Sequence, residues 1–119
     1  MPTYLVVEPI SVIALDLAAS IREFDSSAHV IVAGTPEDAG SAIANYDAVD
    51  VAFLHAHPSK IALAPLARKL SASGARCVFM GDAAEEARVA NFALLERPFS
   101  TETLSNLLAR LMQKARVPT

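Results

Sequence analysis

At 119 residues the chain has room for one domain, residues 1–119, and not for a second. Apolar residues make up 53% of it, but charges interrupt them throughout, so no run approaches the ~18 residues of a membrane span. A net charge of -3 without a basic block argues against a nucleic-acid surface, and a single cysteine, Cys77, excludes an internal disulfide.

The first residues, Met1 to Glu8, carry no basic segment ahead of an apolar core, so they read as a strand and not a signal peptide, and the cytoplasm is the expected location. Tyr4 to Val7 is that strand, closed by Glu8-Pro9. Ile10, Ile13, Ala14, Leu17, Ala18 and Ile21 then recur at helical spacing, with Asp16, Ser20, Arg22 and Glu23 off the stripe, giving a helix that ends near Phe24-Asp25. His29 to Ala33, β-branched and closed by Gly34, is a second strand. Thr35 can cap the next helix, Pro36 suits its first position, and Glu37 and Asp38 oppose its positive end. Ala39, Ala42, Ile43 and Tyr46 form its expected inner face.

The stretch Val49 to His57 holds an apolar run that suits a short strand covered on both faces, and the run stops at two imidazoles, His55 and His57. In an open parallel sheet the C-terminal ends of the strands are where ligands sit, so this stretch bears most on function. Pro65 is tolerated only in a first turn, which places the third helix from about Ala64 to Ser73, with Pro58 to Leu63 as a loop and Gly74 as the stop. Arg76 to Met80 is the fourth strand, its Cys77 a buried small hydrophobe and not a nucleophile. Asp82 and Glu85 open a short helix that reaches only about Ala90. Phe92 to Leu95 is the fifth strand, and Ser100 caps a final helix whose Leu104, Leu107, Leu108, Leu111 and Met112 trace one face. Five strand–helix alternations predict an α/β fold with a doubly wound, five-stranded parallel sheet, of the flavodoxin-like order 2-1-3-4-5.

In order and spacing, Leu-Val-Val-Glu-Pro, Asp-Val-Ala-Phe-Leu-His, Cys-Val-Phe-Met-Gly and Glu-Arg-Pro-Phe-Ser resemble the receiver (CheY-like) domains of two-component response regulators across essentially the whole chain. The resemblance implies a site of two acids after the first strand that hold Mg²⁺, a phosphoacceptor aspartate after the third, a hydroxyl after the fourth and a lysine after the fifth. The matching positions here are Glu8 and Pro9, His55, Gly81 and Arg97, with Leu94 at the usual aromatic switch position. The interval from Gly81 to Arg97 is shorter than the resemblance leads one to expect, consistent with a shortened fourth helix.

Mg²⁺ asks for oxygen ligands in octahedral array, and an acyl phosphate needs a carboxylate nucleophile. One acid, a proline and an imidazole meet neither need, so Mg²⁺ binding is expected to be lost or weak. The expected role of His55 is a hydrogen bond to Glu8 or a loop carbonyl, and that of Arg97 an ion pair with Glu8. Phosphorylation of His55 itself ranks below both. A Zn²⁺-type site of Glu8, His55 and His57 is the competing reading. It would make the chain a small metal- or ligand-binding module, with Arg97, or a weak metal-assisted enzyme.

The expected function is a stand-alone, non-phosphorylatable receiver domain, not an enzyme, that acts by protein–protein contact. Related domains dimerise and signal through the last helix and the neighbouring strand edges, which marks Leu94, Leu104 and Leu108 as the candidate face. A sensor histidine kinase, a phosphotransfer protein, another regulator or a second copy of the chain are the partners the resemblance implies. A conventional phosphorylatable regulator is the remaining alternative.

Overall fold

The computed structural model describes residues 2–57, 61, 65–80, 93–95 and 101–116. The elements are β1 (Thr3–Val7), α1 (Ser11–Phe24), β2 (His29–Ala33), α2 (Pro36–Ala42), β3 (Val51–Leu54), α3 (Leu66–Ser73), β4 (Arg76–Met80), β5 (Ala93–Leu95) and α4 (Thr101–Arg116). The strands form one sheet in the order β2-β1-β3-β4-β5, every pair parallel. Phe92, the helix between Asp82 and Ala90, and the Ser100 cap lie outside the described residues.

Alternation along the buried strands sorts the core into two layers. Tyr4, Val6, Val51, Phe53, Val78 and Met80 face one way and meet Ala14, Leu17 and Ile21 of α1 and Leu104, Leu107 and Leu108 of α4. Leu5, Val7, Ala52, Leu54 and Phe79 face the other way, toward Ala39, Ile43, Leu66 and Leu70 beside α2 and α3. Helices therefore cover both faces of the sheet.

Local chemistry accounts for the ends. Thr35 accepts the Asp38 N–H through its hydroxyl at 3.1 Å with Pro36 in the first turn, so α2 starts where its capping residues require. Gly74 ends α3 in the left-handed region at φ 67, which glycine adopts without a Cβ penalty.

Several expectations are corrected. Ile10 is the N-cap of α1 and half exposed, because the inner stripe begins only at Ile13 and Ala14. Ser20 is buried, in the flank of α1 that packs beside α4. Ala42 is exposed: α2 ends there, and Ile43 carries the burial instead. Within the stretch expected to be loop, Ile61 is helical and buried, its N–H donating to the His57 carbonyl at 3.2 Å. Pro65 is the N-cap of α3, one step before the helix and not inside its first turn as expected. Cys77 is half-buried, and burial pushes its thiol up. Among the described residues no helix is long and apolar enough to cross a membrane.

Candidate functional site at the C-terminal ends of the strands

Glu8 and His55 each continue a ladder one residue past its strand. The Glu8 N–H donates to the Ala33 carbonyl at 3.0 Å, and the His55 N–H to the Val7 carbonyl at 2.9 Å. Backbone pairing thus fixes the two Cα atoms side by side at the same edge of the sheet. Their side chains meet: His55 Nδ1 lies 2.8 Å from Glu8 Oε1. A carboxylate oxygen accepts, so Nδ1 carries the proton and the ring's Nε2 is turned away from Glu8.

The second carboxylate oxygen is engaged as well. Glu8 Oε2 accepts the Ile10 N–H at 3.1 Å. Pro9 has no N–H, so Ile10 offers the first backbone donor after Glu8, and it is also the N-cap of α1. That helix has no side-chain cap and no acid in its first turn. Glu8, reaching back from outside the helix, supplies the negative charge that its positive end favours. The Glu8 side chain is 0% exposed and that of His55 19%, so the pair is a nearly dry junction between β1, β3 and the start of α1.

This donor set does not fit Mg²⁺. The one carboxylate already accepts two N–H groups, Pro9 is an exposed residue without a ligating side chain, and an imidazole stands where further oxygen would be needed. Among the described residues no three His, Cys, Asp or Glu side chains come together as a group that could hold a Zn²⁺-type ion. Glu8, His55 and His57 are all described. The strand stops at Leu54 and the chain bends at Ala56, which ends the alternation that would have set both rings on one face, and His57 is exposed.

Gly81 and Arg97 lie outside the described residues, and so does the expected Arg97–Glu8 ion pair. Leu94 pairs with Phe79 in the β4–β5 register. Two of the three leucines expected at an interface are core residues: Leu104 and Leu108 are both 0% exposed, packed between α4 and the sheet. Helical spacing identified them as one face, and that face is the inner one.

Sequence reading missed two tethers. Lys69 of α3 donates through Nζ to the Tyr46 carbonyl, pinning the loop after α2. At the opposite end of the sheet, Asp50 accepts the Thr3 N–H at 2.7 Å through Oδ2, while its own N–H donates to the Thr3 carbonyl at 2.8 Å. An aspartate just ahead of a buried strand was the available signal.

No family model matches the chain, and no curated protein matches its sequence. Solved structures do match. A response regulator receiver domain protein from Clostridium thermocellum superposes with a TM-score of 0.73 at 15% identity, covering 98% of each chain. SdrG from Sphingomonas melonis Fr1 gives 0.70 at 23% identity, over 94% of this chain and 97% of that one. A putative pilus assembly protein from Burkholderia thailandensis gives 0.66 at 20% identity, over 95% and 99%. Strand order, the helices on both faces and these full-length superpositions agree: this chain has the fold of response regulator receiver domains.

Proposed function

We propose that this chain is an atypical receiver domain that serves signal transduction by protein–protein contact and does not take up phosphate as an aspartyl phosphate. The observation that carries the reading is the closed Glu8–His55 pair at the end of β3. Forming an acyl phosphate requires a carboxylate oxygen to attack phosphorus. The only carboxylate at this junction among the described residues is buried, with both oxygens already accepting N–H groups. The pair instead holds the ends of β1 and β3 in one fixed arrangement.

With Leu104 and Leu108 in the core, contact through the last helix falls to its exposed residues, among them Glu102, Asn106 and Arg110. A sensor histidine kinase, a phosphotransfer protein or another regulator is the class of partner that suits a receiver fold. The test is incubation with acetyl phosphate and MgCl₂ followed by intact-mass measurement. An unchanged mass is expected, and a gain of one phosphoryl group would overturn the reading.

A further inference from the structure

β2 is an edge of the sheet, and its sequence, His-Val-Ile-Val-Ala, has no lysine, proline, glycine or acid. Natural edge strands are usually protected from pairing with other chains by such residues. In the β1–β2 register the His29 N–H donates to the Pro2 carbonyl, and the Ala33 carbonyl accepts the Glu8 N–H. His29, Ile31 and Ala33 therefore turn their backbone groups toward β1. Val30 and Val32 turn theirs outward, two N–H and two C=O groups in a short row at the free edge.

The helix above that edge is apolar on its free side. The exposed large hydrophobic residues among those described are Ile10, Val12, Leu15 and Val32, at 50%, 77%, 65% and 41%. Val32 shares the α1 side of the sheet with Val30, which packs against that core layer. On α1, buried Ser20 and the packed Phe24 mark the flank toward α4. At about 100° per residue, Leu15 and Arg22 fall on the opposite flank, above β2, and Ala19 points away from the sheet.

We infer that a second copy of this chain pairs with it, β2 to β2, across a two-fold axis perpendicular to the sheet at Ile31. Such an axis makes the strands antiparallel and sets Val30 of each copy opposite Val32 of the other, so the outward groups of one strand meet those of its mate. The helices then fit. Strands lie ~4.8 Å apart and α1 lies over β1 and β2, so the two α1 axes come about 10 Å apart, the spacing at which helices pack. Leu15 of both copies lies on the flank that faces that contact.

Sedimentation equilibrium over a range of concentrations, together with amide hydrogen exchange, tests this. A dimer is expected in which the Val30 and Val32 amides exchange slowly. Val32→Lys places a charge at an already exposed edge position, and Leu15→Glu does so on the free helix flank without touching β2. Each should lose the dimer, keep the circular dichroism of the fold, and return the two valine amides to fast exchange. A monomer at every concentration, a dimer whose Val30 and Val32 amides exchange fast, or one unaffected by both substitutions would overturn the proposal.

Discussion

The two ends of the sheet solve the same problem with different chemistry. At the N-terminal end, Asp50 joins β3 to β1 by accepting the Thr3 N–H in an exposed setting. At the C-terminal end, Glu8 joins β1 to β3 through His55 and also takes the Ile10 N–H, with its side chain fully buried. Both are carboxylates tying neighbouring strands. Water can replace the partners of Asp50 at little cost, whereas nothing but protein surrounds Glu8, so only the buried junction depends on every partner being present.

The largest effect should follow the removal of His55. Among the described residues, His55→Ala leaves the buried Glu8 carboxylate with the Ile10 N–H as its remaining donor, and breaking a buried pair from one side costs about 3 kcal/mol. Urea denaturation of the variant measures this, and an unchanged midpoint would mean that water serves Glu8 equally well. Glu8→Gln keeps the shape and an acceptor but loses the charge, with an expected loss of about 1.5 kcal/mol by the same measurement. At the other end, Asp50→Ala should cost about 0.5 kcal/mol, since its hydrogen bond is exposed. A loss as large as that of His55→Ala would erase the contrast between the two ends.

The smallest effect at neutral pH belongs to Tyr4. Its hydroxyl is buried without a hydrogen-bond partner among the described residues, so Tyr4→Phe should leave stability nearly unchanged. Burial first, then the charges of Asp25 and Asp50, push its ionisation up to about 12. The unfolded chain gives up this proton near the ordinary tyrosine value of about 10, so the contribution of Tyr4 is complete below that pH and declines as pH rises toward 12. Denaturation between pH 9 and pH 12 should show a shallower loss in Tyr4→Phe than in the parent.

The sheet was legible because apolar runs such as Tyr4–Val7 and Val51–Leu54 have one reading at their length, and Thr35-Pro36 and Gly74 mark helix ends by local chemistry. The Glu8–His55 contact was legible through the resemblance, which sets both residues at the C-terminal ends of neighbouring strands. What could not be read was direction. Leu104 and Leu108 form a helical face whether it meets the sheet or a partner, and only packing shows that it meets the sheet. Val12 and Leu15 fall off the apolar stripe of α1 in the sequence, but only their exposure in the structure shows that no other element among the described residues covers them. The Ile10 N–H on Glu8 depends on backbone geometry at Pro9, which residue types alone do not encode.

The central claim is that Glu8 is fully engaged by His55 and Ile10 and offers no seat to Mg²⁺. An MgCl₂ titration followed by the backbone amide resonances of Glu8, Ile10 and His55 tests it most directly, with His55→Asp, which supplies a second carboxylate, as the comparison. The account predicts no saturable shift at these three amides in the parent chain and a saturable one in His55→Asp. A saturable shift centred on Glu8 in the parent would contradict it.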